Sequence, residues 1–204
     1  VVVAFGDSIT DGFNATVDGA KRYPNQLDDR LKAAGQPRTS VVNAGISGNR
    51  WLRDVTGPHG NGRFERDVLN VPGVTHTIML LGINDLRSGF RAPAEAVTPD
   101  ELAAAMTAAA KKAQAKGIKV YLGTILPCKG EAFCPASVDA QRQVLNTWIR
   151  NNKTVDGVID FDQVTRNPAD HASLLPAFNS GDHLHPNDAG YKAMAEAIDL
   201  ATLK

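Results

Sequence analysis

Five short apolar segments, rich in β-branched residues, recur along the chain and are separated by stretches with helical periodicity. They occupy residues 1–5, 40–43, 77–81, 119–123 and 157–161. Continuous apolar runs of this length are typical of parallel strands buried on both faces of a sheet, with helical crossovers between neighbours. The pattern therefore predicts the α/β class: a three-layer α/β/α sandwich around a five-stranded parallel sheet.

The clearest helix signal lies between the third and fourth apolar segments, over residues 99–116. Thr98 and Glu101 have the spacing of a capping box, and Pro99 suits the first turn. Gly117 then ends the helical pattern. Further helices are predicted over residues 24–34, 137–151 and 189–201, and an irregular stretch over 46–70 is predicted to end in a short helix over 62–69.

The composition limits the size of the fold and the class of partner. The chain has 204 residues, of which 43% are hydrophobic, so we expect a single domain over residues 1–204. The 22 Lys and Arg residues balance the 22 Asp and Glu residues, so no overall charge favours nucleic acid or an anionic membrane. No apolar stretch approaches the ~20 residues of a membrane span. A neutral or small substrate fits these properties better than nucleic acid does.

The two cysteines, Cys128 and Cys134, lie close together in one loop bounded by Pro127 and Pro135. This spacing can close a short disulfide loop. A disulfide indicates an oxidising compartment, so we expect a secreted or periplasmic protein. The alternative is a pair of unrelated thiols in a cytosolic loop. No other Cys or His pair has ligand spacing nearby, so we expect no metal site.

Residues with catalytic potential follow the predicted strands. The segments concerned are GDSIT (6–10), NAGISGN (43–49), GIND (82–85) and DHLHP (182–186). Their candidate site residues are Ser8, Gly45, Asn84, Asp182 and His185. Because the carboxyl ends of parallel strands meet at one edge of a sheet, we expect these residues to lie close together.

A serine hydroxyl becomes an effective nucleophile when a histidine takes its proton and a carboxylate orients that histidine. Ser8, His185 and Asp182 supply these three groups. The three-residue offset between Asp182 and His185 brings them to the same side of a turn, whereas His183 is adjacent to Asp182 and diverges from it. Ser47 is the competing serine, but it lies in a Gly-rich loop without a G-x-S-x-G elbow.

An oxyanion formed during ester cleavage needs hydrogen-bond donors. The N–H groups of Ser8 and Gly45 and the side-chain amide of Asn84 are the candidate donors. With these residues in place, the four blocks of sequence, in this order, resemble the SGNH hydrolases, also called the GDSL-type lipase/esterase family. Ile9 stands where the family's name-giving motif has leucine, which is a conservative change.

The resemblance implies a role for each matching residue. Ser8 would be the nucleophile and first oxyanion donor, and Gly45 and Asn84 the other donors. Asp182 would orient His185, which would act as the base. The family's fold is a flavodoxin-like sandwich with a five-stranded parallel sheet, and its reaction needs no metal or organic cofactor.

The function implied by this resemblance is hydrolysis of a carboxylic ester through an acyl-enzyme. We expect a small-molecule or carbohydrate ester as substrate, with a short acyl group such as a carbohydrate O-acetyl. Alternatives within the family are a lysophospholipase, a thioesterase or a longer-chain lipase. Outside it, a phosphatase with Asp7 as nucleophile would need a second Asp where Ile9 stands. A flavodoxin-like binding module without catalysis would lack a member of the triad, and none is missing.

Four further residues are candidates for contact with the substrate. Asp7 flanks the nucleophile, although an Asp in such a turn also bonds loop backbone. Trp51 follows the Gly45 loop and lines either a cleft or the core. Phe90 and Phe178 lie in predicted loops next to the third and fourth blocks, where exposed apolar residues are also common.

Overall fold

The computed structural model describes residues 1–204, and its central element is a five-stranded parallel sheet. The strands are β1 (Val2–Gly6), β2 (Val41–Gly45), β3 (His76–Leu80), β4 (Lys119–Gly123) and β5 (Gly157–Ile159). Their order in the sheet is β2-β1-β3-β4-β5, the flavodoxin-like order, and every neighbouring pair is parallel. Both β1 and β3 are buried along their whole length, which explains their continuous apolar sequence.

Eight helices accompany this sheet. They are α1 (Ser8–Asp11), α2 (Tyr23–Ala33), α3 (Gly60–Phe64), α4 (Ile83–Arg91), α5 (Pro99–Gln114), α6 (Ala136–Asn151), α7 (Phe161–Thr165) and α8 (Asp188–Glu196). Helix α3 continues into a π-helical turn, Glu65–Leu69, and short 3₁₀ turns occur at Pro93–Glu95, Pro176–Phe178 and Leu200–Leu203. An antiparallel hairpin of β6 (Arg166–Asn167) and β7 (Asp170–Leu174) follows α7.

The helices flank the sheet in two groups. Helix α2 packs with α8, and α8 with α7, while α5 packs with α3 and α6, and α6 with α4. The buried apolar residues form one contiguous cluster that runs from Val2 to Leu203. The predicted three-layer α/β/α sandwich with a five-stranded parallel sheet is therefore confirmed.

The element boundaries differ from the prediction at a few points. The fifth strand ends at Ile159, because Asp160 caps α7 by accepting a hydrogen bond from the Gln163 N–H at 3.1 Å. The last long helix ends at Glu196 instead of 201. The sequence does not predict helix α4, since the GIND segment that begins it, with Gly82 as the N-cap, has the composition of a loop. The capping box at Thr98 is present, with the Glu101 carboxylate 2.8 Å from the Thr98 N–H.

The register of the sheet brings three strand ends together. Gly6 at the end of β1 lies opposite Gly45 of β2 on one side and Leu80 of β3 on the other. A Cβ at Gly6 would lie 2.1 Å from the Thr10 Oγ1 and 2.4 Å from the Leu80 carbonyl oxygen, so this turn requires glycine. The tight turn lets α1 begin two residues after the strand ends.

Candidate active site

Ser8 stands at the start of α1, where the chain leaves β1. The Asp7 carboxylate caps this helix by accepting a hydrogen bond from the Ile9 N–H at 3.0 Å. The Ser8 side chain is nearly buried, and its N–H donates to no acceptor within the chain. A hydroxyl and a free N–H therefore stand together at the carboxyl edge of the sheet.

His185 lies against this serine although the two are 177 residues apart in sequence. The His185 Nε2 is 2.8 Å from the Ser8 Oγ, and the His185 Nδ1 is 2.6 Å from the Asp182 Oδ2. A carboxylate only accepts hydrogen bonds, so the ring carries its proton on Nδ1. The Nε2 atom is then free to accept the proton of the Ser8 hydroxyl.

Asp182 is held by several donors. Its Oδ1 accepts from the N–H groups of Leu184, at 2.9 Å, and His185, at 2.8 Å. Its Oδ2 accepts from the Asn14 Nδ2 at 2.9 Å in addition to the His185 ring. Burial raises the pKa of the Asp182 carboxyl, but its hydrogen bonds with His185 and Leu184 outweigh burial and lower it to about 2. The carboxylate therefore stays charged and fixes the orientation of the ring.

The loop over residues 12–20 closes one side of this site. The Phe13 ring lies 4.6 Å from the His185 ring, between centroids, and is 48% exposed. The Tyr191 hydroxyl donates to the Phe13 carbonyl oxygen at 2.6 Å. The Asp188 carboxylate accepts from the backbone and the hydroxyl of Thr16. Helix α8 thus positions both this loop and the segment that carries His185.

His183 and Ser47, the alternatives for the base and the nucleophile, are bonded to other residues. His183 has a left-handed backbone, with φ of 64°, and its Nδ1 pairs with the Asn179 side chain at 3.1 Å. The Ser47 hydroxyl donates to the Asp11 carboxylate at 2.7 Å. Neither side chain forms a hydrogen bond with Ser8 or His185.

Gly45 does not present its N–H to the site as expected. That N–H donates to the side-chain Oδ1 of Asn43 at 2.9 Å. A Cβ at Gly45 would lie 2.2 Å from the Asp11 backbone nitrogen, so the glycine allows β2 to approach α1 closely. The structure therefore corrects the assignment of Gly45 as an oxyanion donor, because its donor is already bonded.

A second glycine in the same segment does have a free donor. The Gly48 N–H donates to no acceptor within the chain, and Gly48 has φ of 77°, which favours glycine. The next residue, Asn49, accepts a hydrogen bond at its carbonyl oxygen from the Asn84 Nδ2 at 3.1 Å. This bond holds the loop of Gly48 beside the Asn84 amide. The only sequence signal for Gly48 was its place three residues after Gly45.

Arg63 is a buried cation that joins three parts of the site. Its guanidinium donates to the carbonyl oxygens of Gly6, at 2.7 Å, and Ala44, at 2.8 Å. It also donates to the Asn49 Oδ1 at 2.9 Å. These bonds fix the end of β1, the end of β2 and the Gly48 loop relative to one another. No motif in the sequence indicated this residue.

Asp7, one of the predicted substrate contacts, lies in a buried environment. The residue is 1% exposed, and burial, supported by the nearby Asp85 charge, raises the pKa of its carboxyl to about 7. This carboxyl is a buried helix cap and has no surface for a substrate. The expectation that Asp7 contacts substrate is therefore corrected.

The aromatic candidates also lie away from Ser8. Trp51 is fully buried in the core, where its Nε1 donates to the Leu81 carbonyl oxygen at 2.8 Å, so it lines no cleft. Phe90 is half-exposed at the end of α4 and lines a cavity of about 190 Å³ between α4 and α6. Phe178 packs against the start of α8, since a Cβ at Gly190 would lie 3.1 Å from the Phe178 Cβ. None of the three is placed in contact with the Ser8 hydroxyl.

The cysteines form a disulfide between Cys128 and Cys134, with Cα atoms 5.8 Å apart. The loop that it closes packs beside α4 and contains Glu131, which forms an ion pair with Arg87. None of the helices combines the length and the apolar character needed to cross a bilayer.

The order and geometry of these residues agree with a known family. Residues 4–193 match the GDSL-like Lipase/Acylhydrolase family. The chain belongs to this family. The match covers nearly the whole sheet and all four sequence blocks, including GDSIT, so the GDSL resemblance is confirmed.

A curated relative of this GDSL chain is the "Acetylxylan esterase" of Xylanibacter ruminicola. The two are 31% identical over 228 aligned residues, which include 98% of this chain and 42% of the relative. The chain therefore spans less than half the length of the curated relative that it matches.

Solved structures show the same fold. A carbohydrate acetylesterase from Sinorhizobium meliloti is similar with a TM-score of 0.73 at 16% identity, covering 100% of this chain and 99% of the other. A catalytic mutant of an acetylxylan esterase from Geobacillus stearothermophilus gives a TM-score of 0.72 at 22% identity, and the match covers 96% of this chain and 90% of the other. At these identities the comparison supports the GDSL fold alone.

Proposed function

We propose that the protein is a serine ester hydrolase in which Ser8, His185 and Asp182 form the catalytic triad. The observation that carries this proposal is the continuous chain of two hydrogen bonds from the Ser8 Oγ to the Asp182 carboxylate, 2.8 Å and 2.6 Å long. The free N–H groups of Ser8 and Gly48 and the Asn84 amide form the oxyanion hole in this proposal. Together they supply a nucleophile, a base and donors at one sheet edge.

The first half of the reaction transfers the acyl group to the protein. His185 takes the Ser8 proton on Nε2 while the Oγ attacks the ester carbonyl carbon. The carbonyl oxygen becomes an oxyanion and accepts hydrogen bonds from the Ser8 and Gly48 N–H groups and Asn84. The oxyanion collapses, the bond to the alcohol oxygen breaks, and His185 gives its proton to the leaving alcohol.

The second half returns the free protein. His185 takes a proton from a water molecule, and the resulting hydroxide attacks the acyl carbon on Ser8. The tetrahedral intermediate collapses with loss of the Ser8 oxygen, which receives the proton from His185. The products are the carboxylic acid and the alcohol, and Asp182 remains ionised throughout because its pKa is lowered.

We infer a short acyl group on a carbohydrate as the substrate class, in particular a carbohydrate O-acetyl ester. This inference is supported by the 31% identity to an acetylxylan esterase. The Phe13 ring beside His185 offers an exposed apolar face of the kind that packs against a sugar ring. The disulfide further supports a secreted or periplasmic location.

Hydrolysis of p-nitrophenyl acetate tests the chemistry. The wild type should hydrolyse it, and Ser8→Ala should lose activity by a factor on the order of 10⁶. Ser47→Ala is the matched control, since it removes another serine hydroxyl close to the same sheet edge without breaking the triad. Equal rates for the wild type and Ser8→Ala would reject the triad.

A substrate panel tests the specificity. Acetylated xylooligosaccharides should be better substrates than p-nitrophenyl esters of long acyl chains, when kcat/KM is compared. A preference for long acyl chains would indicate a lipase or lysophospholipase activity of the same triad and would reject the carbohydrate acetyl ester.

A further inference from the structure

The Asn84 side chain is bonded at both ends of its amide. Its Nδ2 donates to the Asn49 carbonyl oxygen at 3.1 Å, and its Oδ1 accepts from the Arg87 Nη1 at 3.2 Å. An amide nitrogen carries two hydrogens, so one Nδ2 hydrogen remains for another acceptor. The two partners together define which end of the amide is the nitrogen and which is the oxygen.

Arg87 is in turn held by the disulfide loop, residues 128–134. The Arg87 Nη2 lies 2.6 Å from the Glu131 Oε1, and its Nε donates to the Glu131 Oε2 at 3.0 Å. Both side chains are mostly buried, at 15% and 13% exposure. This two-pronged pair fixes the plane of the guanidinium, which points its remaining donor at Asn84.

The loop is itself closed around Glu131. The Cys128 carbonyl oxygen accepts from the Glu131 N–H at 3.1 Å, and the Glu131 carbonyl oxygen accepts from the Cys134 N–H at 3.0 Å. The Glu131 carboxylate also accepts from the Phe133 N–H at 2.8 Å. The disulfide joins the two ends of this short loop, so Glu131 has little freedom to move away from Arg87.

We propose that Arg87, held by Glu131 of the disulfide loop, is a positioning residue that fixes the Asn84 amide with its nitrogen toward the substrate oxyanion. This role rests on the proposed esterase function and adds two residues to it that no sequence block contains. The disulfide loop thereby contributes to the reaction at a distance, through one ion pair and one hydrogen bond.

The physical reason is the asymmetry of an amide. Rotation of the Asn84 side chain by half a turn exchanges Oδ1 and Nδ2, and an oxygen would then face the developing negative charge. Arg87 opposes this rotation, because a rotated amide would point an N–H at the guanidinium and leave its donor unbonded. The effect is felt in the transition state, where the charge develops, and only weakly when substrate binds.

The primary test is steady-state kinetics of Arg87→Met on p-nitrophenyl acetate. We expect kcat to fall about tenfold with KM little changed. Arg87→Lys, which keeps a donor for the Asn84 Oδ1, should recover part of the loss. Arg91→Met is the control, because Arg91 lies on the same helix and stacks on the loop at Phe133, 4.5 Å away, without bonding Asn84. A wild-type kcat for Arg87→Met would overturn the proposal.

A double-mutant cycle separates positioning from a general structural role. Asn84→Ala alone should lower kcat by ~10² or more. Adding Arg87→Met or Glu131→Ala to Asn84→Ala should cause no further loss, because the group they position is gone. Losses that multiply in the double variants would overturn the proposal, since they would show that Arg87 and Glu131 act independently of Asn84.

A crystal structure of Arg87→Met gives a readout that does not depend on activity. The proposal expects the contact between the Asn84 amide and the Asn49 carbonyl oxygen to break. An unchanged contact would overturn it, even if the protein hydrolysed no ester. A wild type no faster than Ser8→Ala rejects the esterase function instead, so the two failures are distinguishable.

Discussion

The Asn14 Nδ2 donates a hydrogen bond to the Asp182 Oδ2 at 2.9 Å across 168 residues of sequence. The same oxygen accepts from the His185 Nδ1 at 2.6 Å. Asn14 reaches this position with a left-handed backbone, at φ of 65°, which asparagine adopts more readily than most residues. The loop after α1 therefore supports the carboxylate that orients the base.

Replacing Asn14 tests the importance of this contact. Asn14→Ala removes one of the donors that hold the Asp182 carboxylate, so His185 should be less well oriented and kcat should fall by a factor of about 3 to 10. Asn61→Ala, at an exposed asparagine far along the chain, is the control. The rate of p-nitrophenyl acetate hydrolysis measures the effect, and equal kcat values for Asn14→Ala and Asn61→Ala would contradict it.

The raised pKa of the Asp7 carboxyl predicts that the free energy of unfolding depends on pH. Burial raises the pKa of this carboxyl to about 7 in the folded protein, against 3.8 for an aspartate in the unfolded chain, so the folded protein holds this proton to higher pH. The stability that the neutral Asp7 provides is fully present below pH 3.8 and is lost as the pH rises toward 7. The loss amounts to about 4 kcal/mol at most.

The measurement is the free energy of unfolding between pH 4 and pH 8, by urea denaturation. Asp7→Asn keeps an acceptor for the Ile9 N–H but cannot ionise, so its stability should fall less over this range than that of the wild type. Asp18→Asn, at an exposed position, should keep the wild-type slope. Parallel curves for the wild type and Asp7→Asn would show that Asp7 ionises equally in both states.

Gly45 is predicted to matter for the fold. An alanine there would place its Cβ 2.2 Å from the Asp11 backbone nitrogen, where no flexible group can move aside. Gly45→Ala should therefore lower the free energy of unfolding by about 1–3 kcal/mol or more. Gly62→Ala is the control, because Gly62 lies inside α3 and alanine favours a helix. A Tm for Gly45→Ala equal to that of the wild type would contradict the close approach.

Because of the disulfide, we expect the free energy of unfolding to depend on reductant. Closing a short loop between Cys128 and Cys134 restricts the unfolded chain and stabilises the folded state by about 2 kcal/mol. Dithiothreitol should lower the free energy of unfolding of the wild type by this amount and leave a Cys128→Ser/Cys134→Ser variant unaffected. If the wild type keeps its stability while two thiols become available for alkylation, the disulfide contributes nothing to the fold.

The fold and the central residues of the site could be predicted because their signals are local. Apolar β-branched runs indicate burial in a parallel sheet directly, and Ser8 and Asn84 come shortly after the ends of β1 and β3, which share an edge of the sheet. The Asp182–His185 pair lies beyond the sheet, in the segment before α8. The spacing of Asp182 and His185 sufficed to prefer His185 over His183.

Other features depend on which side chains meet in space. Gly45 ends strand β2, but nothing in the sequence shows that the Asn43 side chain turns back to accept a hydrogen bond from the Gly45 N–H. The position of Trp51 in the sequence fits a core residue and a cleft residue equally well, and only its burial in the structure decides between them. Asn14 bonds Asp182, and Arg87 is held by Glu131. Both partners come from distant loops, so no local pattern reveals these contacts.

The most direct measurement for the proposed triad is mass spectrometry of the protein after treatment with a fluorophosphonate. The Ser8 oxygen should displace fluoride and bind phosphorus, adding one label per chain on the peptide that contains Ser8. The label should be absent from Ser8→Ala and should form much more slowly on His185→Ala. A wild type that takes up no label, or a Ser8→Ala variant that is labelled as fast as the wild type, would contradict the account.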